Sequence, residues 1–170
     1  AGATGNLKVM FPMVATVEEV RQARAILEAC RAELQAEGQP VAEEMEVGIM
    51  VEVPAAALMA DRLAAEVDFF SIGTNDLIQY TLAADRCNGD VLDSGLALSD
   101  HPAIIQMIEL TAASARRAEI PISLCGELAA DPAWSSRLIG MGITTLSMSS
   151  SHILPLRRHI SQLTVGRGAP

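Results

Sequence analysis

Short apolar runs typical of strands alternate along the chain with longer segments in which apolar residues recur at helical spacing. The apolar run at residues 7–14 precedes Thr16 and Glu19, whose three-residue spacing is that of a capping box at a helix start. Apolar residues at helical spacing then run through 17–34 and stop before Gly38. The first unit is therefore predicted to be a strand followed by a helix.

The same strand-helix unit is predicted four more times. The strands fall at residues 46–53, 67–73, 121–126 and 144–148. The helices that follow them begin at Pro54, at about Asn75, at Pro132 with Asp131 as its N-cap, and at about Ile153. A further helix is predicted from His101 and Pro102 to residue 118, after the longer connection at 87–100.

Five βα units place the chain in the α/β class. The predicted strands look apolar on both faces, which predicts a parallel sheet covered by helices. An open doubly wound sheet and a part of a (β/α)₈ barrel both give this pattern, and a complete barrel takes about 250 residues and eight strands. Periodicity leaves both architectures open. We expect one domain over residues 1–165 and a frayed C-terminal tail over 166–170.

Composition excludes several classes of function. The net charge of -9 and the isoelectric point near 4.7 argue against binding to nucleic acid or to an anionic membrane surface. The sequence contains three cysteines without close spacing, no signal-peptide pattern and no apolar run of about 20 residues. We therefore expect a cytoplasmic protein that does not insert into membranes.

Two carboxylates follow apolar strands at the position where barrel enzymes hold their chemistry. Glu52 comes after the second strand and Asp76 after the third. Two converging carboxylates suit Mg²⁺, which completes its octahedron with water and substrate oxygens. Two structural alternatives stay open here, because Glu52 can also neutralise an arginine and Asp76 can serve as an acidic residue in a first helical turn.

Two further residues are candidates for binding an anion. Asn75 lies at a helix start, where an amide donor and free backbone N–H groups can hold phosphate or carboxylate oxygens. Arg86 can bind an anion in a bidentate manner. The structural alternatives are an N-cap for Asn75 and an ion pair with Asp85 or Glu66 for Arg86.

A cysteine ends the fourth predicted strand. Cys125 lies near Glu127, whose charge raises a thiol pKa, so a role as a proton donor is favoured over a thiolate nucleophile. Cys30 is predicted to be a small buried hydrophobe on its helix. The three histidines have no metal-site spacing and are assigned no chemistry: His101, His152 and His159.

Four ordered sequence blocks resemble a known family, the phosphoenolpyruvate-utilising enzymes. They are residues 69–80 (FFSIGTNDLIQY) followed by 84–86 (ADR), and residues 9–13 (VMFPM), 50–56 (MVEVPAA) and 125–127 (CGE). Within that family the pattern is similar to Enzyme I of the bacterial sugar phosphotransferase system. Nearly the whole chain is covered, and the resemblance implies the last five βα units of a phosphoenolpyruvate-binding barrel.

The resemblance implies roles for the candidate residues. Glu52 and Asp76 would hold Mg²⁺, and Asn75, Asp76 and Arg86 would bind phosphoenolpyruvate. Cys125 would be the catalytic proton donor as pyruvate forms. A histidine on another domain would take the phosphoryl group and pass it to a small histidine-containing phosphocarrier protein for sugar uptake.

The resemblance also implies limits and alternatives. The family dimerises through this barrel, so a homodimer is expected, and the chain alone is not expected to phosphorylate a carrier. Pyruvate phosphate dikinase and phosphoenolpyruvate synthase share two of the blocks. A nitrogen-linked or fused relative, and a non-catalytic module for dimerisation or ligand sensing, are further alternatives.

Overall fold

A computed structural model describes residues 6–42, 44–85 and 100–163. Five strands form one sheet in the order β1-β2-β3-β4-β5, and every neighbouring pair is parallel. The strands are β1 Lys8–Phe11, β2 Glu46–Val51, β3 Phe69–Gly73, β4 Ile122–Cys125 and β5 Thr145–Ser147. All five predicted strands are confirmed.

Helices connect the successive strands. In the described residues they are α1 Val17–Ala36, α2 Pro54–Leu58, α3 Ala60–Leu63, α4 Thr74–Leu82, α5 Pro102–Arg117, α6 Glu127–Ala130, α7 Pro132–Gly140 and α8 Ser150–Ile160. The helix predicted from Pro54 is two short helices, since Met59 between them leaves the helical conformation. The short α6 was not predicted, and α8 begins three residues before Ile153.

The predicted helix caps are present. Thr16 Oγ1 accepts a hydrogen bond from the Glu19 N–H at 3.2 Å, and Glu19 Oε2 accepts one from the Thr16 N–H at 2.9 Å. Both halves of the capping box therefore satisfy N–H groups that a helix start leaves free. Asp131 Oδ1 accepts from the Ala133 N–H at 2.9 Å and caps α7 as predicted.

Strand order decides between the two architectures. A doubly wound sheet reverses its strand order at a switch point, whereas this sheet keeps chain order from edge to edge. Successive right-handed crossovers in one direction place the connecting helices on the same face. The fold is thus a parallel α/β sheet with the arrangement of five consecutive units of a (β/α) barrel.

The two faces of the sheet differ, so the expectation of strands apolar on both faces holds for one face and only in part for the other. The helix-covered face buries Ile49, Val51, Phe70, Ile72 and Leu124 completely. Each such side chain contributes about 1.5–3 kcal/mol by leaving water. The opposite face mixes apolar and polar residues: Met50, Ser71, Ser123 and Thr145 follow each other in register across the strands, and Gly48 pairs with Phe69. Successive side chains of a strand point to opposite faces, and this separates the two sets of residues.

Helix α1 packs less tightly than its sequence pattern predicts. Among its described residues only Val20 is buried, and Ile26 is 66% exposed. Cys30 is also exposed, so its assignment as a buried hydrophobe is wrong. Leu27, Cys30 and Leu34 instead line an apolar cavity of about 600 Å³ formed with the loop that precedes β2.

None of the helices in the described residues combines the length and the apolar character needed to cross a bilayer.

Candidate functional site

Glu52 follows β2 directly and lies almost completely inside the protein, with 6% of its surface exposed. The Met13 N–H donates a hydrogen bond to its Oε1 at 2.8 Å. Burial raises the pKa of Glu52, the Met13 hydrogen bond opposes that rise, and the charge and hydrogen bond of Asp76 add to it. Among the described ion pairs none involves Glu52, so the arginine-neutralising alternative gains no support.

Met13 adopts an uncommon backbone conformation at this contact. Its φ is +57°, in the left-handed region that costs a residue with a Cβ about 1–2 kcal/mol. The loop after β1 keeps this conformation while its N–H donates to the Glu52 carboxylate. Strain held beside a buried acid is typical of functional sites.

Asn75 and Asp76 are positioned by the tight passage from β3 to α4. Gly73 ends the strand, Thr74 begins the helix, and both polar residues fall in the first turn. A Cβ on Gly73 would lie 2.9 Å from Glu52 Oε2 and 3.0 Å from the sulfur of Met50. The glycine therefore leaves the space that the Glu52 carboxylate occupies beside Asp76.

The two carboxylates have the chemistry that a divalent cation requires. They lie on neighbouring strand ends, and the charge of Asp76 makes ionisation of buried Glu52 less favourable. A bound cation would remove that penalty. No three His, Cys, Asp or Glu side chains converge on a metal position in the parts of the chain that are described. Mg²⁺ fits such a pair, because it often takes only one or two carboxylates and fills its octahedron with water and substrate oxygens.

Cys125 ends β4 directly opposite Gly73 in the strand register. Its thiol donates to the Ile72 carbonyl at 3.4 Å and lies 3.7 Å from the Met50 sulfur. Burial raises the pKa of Cys125, a Ser71 hydrogen bond partly offsets this, and the nearby acidic charges of Glu52 and Asp76 raise it further. The thiol is therefore protonated at neutral pH.

The ends of β3 and β4 are held together by hydrogen bonds. Thr74 Oγ1 donates to the Cys125 carbonyl at 2.9 Å, and Asn75 Oδ1 accepts from the Glu127 N–H at 3.4 Å. Gly126 lies between the two contacts with φ +113°. These contacts fix the first turn of α4, which carries Asn75, against the backbone at and just after the end of β4.

The structure brings four of the five predicted site residues to one edge of the sheet: Glu52, Asn75, Asp76 and Cys125. Arg86 lies outside the described residues.

His152, to which the sequence assigned no chemistry, lines a cavity of about 550 Å³ together with Asn75 and Cys125. Its position shortly after β5 could have indicated a place at the site, because residues that follow barrel strands gather at this edge. His101, in contrast, caps α5 by accepting from the Ala103 N–H at 3.2 Å.

Comparison with known families agrees with this arrangement. The sequence profile of a family described as "PEP-utilising enzyme, PEP-binding domain" matches residues 1–165. The chain belongs to the PEP-utilising enzyme family.

Two relatives of this chain are phosphoenolpyruvate-protein phosphotransferases by name. The chain is 51% identical over 164 residues to the phosphoenolpyruvate-protein phosphotransferase of Priestia megaterium and 49% identical over 164 residues to that of Bacillus subtilis. Each match covers 96% of this chain and 28% of the relative. The chain therefore spans little more than a quarter of the curated relatives' length.

Two solved structures resemble this chain in fold alone. A citrate lyase from Burkholderia xenovorans superimposes with a TM-score of 0.65 at 22% identity, covering 89% of this chain and 48% of that one. An HpcH/HpaI aldolase/citrate lyase family protein from Burkholderia cenocepacia gives 0.57 at 20% identity, covering 94% and 65%.

Proposed function

We propose that this chain is the part of a phosphoenolpyruvate-protein phosphotransferase that binds phosphoenolpyruvate with Mg²⁺ at the carboxyl ends of its strands. The observation that carries the proposal is the pairing of Glu52 with Asp76 on adjacent strand ends, with Cys125 on the next strand. Family membership and the name shared by its relatives support the same substrate.

Each residue has a distinct role in this proposal. Glu52 and Asp76 hold Mg²⁺, which supplies positive charge to the phosphate and carboxylate oxygens of the substrate. Asn75 binds a substrate oxygen through its amide N–H₂, because its Oδ1 is already engaged with the Glu127 N–H. Arg86 remains a predicted anion-binding residue. Positioning and charge neutralisation of this kind account for most catalysis of phosphoryl transfer.

Cys125 is proposed to act at the carbon end of the substrate. Loss of the phosphoryl group leaves the enolate of pyruvate, whose terminal carbon must gain a proton. A thiol with a raised pKa keeps its proton until such a basic carbon is adjacent. Transfer of that proton from Sγ to carbon forms the C–H bond of pyruvate and leaves a thiolate, which regains a proton from solvent.

The whole reaction needs more than these residues. We propose that the phosphoryl group passes to a histidine on another domain and from there to a histidine-containing phosphocarrier protein in the cytoplasm, for sugar uptake. We also propose that the barrel forms a homodimer. The 170-residue chain by itself is expected to give no turnover in a carrier-phosphorylation assay, and turnover there would contradict that expectation.

The binding proposal is tested by calorimetric titration of the chain with phosphoenolpyruvate, with Mg²⁺ present or removed by EDTA. We expect binding only with Mg²⁺. Asp76→Asn should weaken it about tenfold or more, which is the scale of losses at metal sites. Cys125→Ala should bind as the wild type does, because the thiol acts on the carbon only after phosphoryl transfer.

Asp61→Asn is the matched control. Asp61 is an exposed carboxylate in the short helix α3, and the substitution makes the same chemical change away from the site. It should leave affinity unchanged. Binding that is equal with and without Mg²⁺, or equal in Asp76→Asn and Asp61→Asn, would contradict the proposal.

A further inference from the structure

The cavity beside the proposed site contains a residue for which the proposed function gives no role. This cavity of about 550 Å³ lies between the ends of β4 and β5 and the first turn of α8. Asn75 and Cys125 form part of its wall, so it is continuous with the proposed site. His152 forms another part, together with Glu127 and Ser149.

His152 is held in place by the serine at the start of its own helix. Ser149 Oγ lies 2.7 Å from His152 Nδ1, and Ser151 Oγ lies 3.3 Å from the same nitrogen. Serine is a favoured N-cap residue, yet the Ser149 side chain makes no cap hydrogen bond. Its hydroxyl contacts the imidazole instead. With Nδ1 engaged, Nε2 is the ring nitrogen left to meet a ligand.

The charges around the cavity make the His152 side chain a candidate for binding an anion. Among the described residues that line the cavity, His152 is the one side chain able to carry a positive charge. Glu52, Asp76 and Glu127 all bring negative charge to this edge of the sheet. Five Lys and Arg side chains form ion pairs with partners elsewhere: Lys8, Arg21, Arg24, Arg31 and Arg137. An anionic substrate in this cavity therefore meets His152 as an N–H donor beside the amide of Asn75.

We propose that His152 is a substrate-binding residue whose Nε2–H donates to the carboxylate of the three-carbon unit of phosphoenolpyruvate and pyruvate. The inference rests on the proposed function, which brings the carbon chain of the substrate against Cys125. Because Cys125 and His152 line one cavity, the three-carbon unit is the part of the substrate within reach of the imidazole. Its anionic group is the carboxylate.

The test compares two substitutions of His152 with three ligands. Calorimetry measures binding of phosphoenolpyruvate, pyruvate and inorganic phosphate, each with Mg²⁺, to the wild-type chain, His152→Leu and His152→Gln. We expect His152→Leu to weaken phosphoenolpyruvate and pyruvate about tenfold, the scale of one hydrogen bond to a charged group. His152→Gln keeps an N–H donor and should recover part of that loss. Affinity for inorganic phosphate should not change.

His159→Leu is the matched control, because His159 lies near the other end of α8 and outside the cavity. It should bind all three ligands as the wild type does. His152 is exposed, so its substitution should not prevent folding, and thermal unfolding of each variant checks this. A second readout is the Hε1 resonance of His152, which should shift when pyruvate and Mg²⁺ are added.

The outcomes separate this inference from the proposed function. If Asp76→Asn abolishes binding while His152→Leu binds like the wild type, the proposed function stands and the role of His152 is wrong. Equal losses for inorganic phosphate and pyruvate would also overturn it, because the contact would then not be specific to the carboxylate. Absence of any Mg²⁺-dependent binding by the wild-type chain would overturn both proposals.

Discussion

Thr74 donates a hydrogen bond from Oγ1 to the carbonyl of Cys125 at 2.9 Å, joining the first residue of α4 to the last residue of β4. Thr74 is completely buried, so an unpaired hydroxyl there would cost about 1–3 kcal/mol. The contact fixes the helix start that carries Asn75 and Asp76 against the strand that carries the thiol. With the bond between Asn75 and the Glu127 N–H, it links the segment after β3 directly to the end of β4.

Among the glycines that the structure describes, Gly126 should be the least tolerant of a side chain. Its φ is +113°, and a Cβ would lie 2.2 Å from Thr74 Oγ1 and 2.9 Å from Asn75 Oδ1. We expect Gly126→Ala to lower the free energy of unfolding by about 2–4 kcal/mol through backbone strain and overpacking. Urea unfolding measures the change.

Gly140 provides the control for that substitution. It ends α7, and nothing lies within 4 Å of the position its Cβ would take. Gly140→Ala should therefore be neutral or stabilising by up to about 1 kcal/mol, since alanine favours helix. If both variants lost the same unfolding free energy, the close approach of Thr74 to Gly126 would not be the cause of the destabilisation.

Glu52→Gln should stabilise the protein without ligand at neutral pH. The pKa of Glu52 is raised in the native state, chiefly by burial. At pH values below the pKa of the unfolded state the carboxyl group is protonated in both states. As pH rises from there through the raised native pKa, the unfolded state ionises more easily, so stability is lost. The variant lacks that loss. Its advantage in unfolding free energy should be small at pH 4 and larger at pH 7.

The same substitution should weaken Mg²⁺-dependent phosphoenolpyruvate binding, so stability and binding would change in opposite directions. Glu33→Gln is the control, because Glu33 is exposed on α1. It should change neither property at either pH. A Glu52→Gln protein that is less stable than the wild type at pH 7 would contradict the assigned cause of the raised pKa.

Cys125 should react slowly with thiol reagents. Burial raises its pKa, which lowers the thiolate fraction that iodoacetamide attacks. Exposed Cys30 is the internal comparison. Mass-spectrometric peptide mapping at pH 7.5 should find Cys125 alkylated several-fold more slowly than Cys30. In urea the two rates should converge, whereas equal rates in the folded protein would refute a protected thiol.

Substitution of Gly48 should force the aromatic ring on the adjacent strand to move. A Cβ at this position would lie 2.5 Å from the ring of Phe69, which pairs with Gly48 in the register. We expect Gly48→Ala to cost about 1–3 kcal/mol in unfolding free energy. A double-mutant cycle with Phe69→Leu should recover part of that cost, and strict additivity would show that the ring is not the obstacle.

Much of the fold could be predicted from local sequence signals. These signals involve residues that are close in the chain, so they can be recognised without a tertiary structure. They include the strand-helix order, the capping box of Thr16 and Glu19, and the N-cap at Asp131. The positions of Glu52, Asn75 and Cys125 just after or at strand ends were predicted for the same reason. The helix near Pro54 was predicted as one element because no local signal marks the break at Met59.

The sequence by itself therefore determined the five parallel βα units and the polar residues that end their strands, because periodicity and capping act over a few residues. Only the tertiary structure decided that Asp76 lies beside Glu52, that Cys125 pairs with Gly73, and that His152 reaches the cavity they share. These relationships depend on strand register and on crossovers that bring distant segments to one edge. Neither leaves a pattern in any short stretch of sequence.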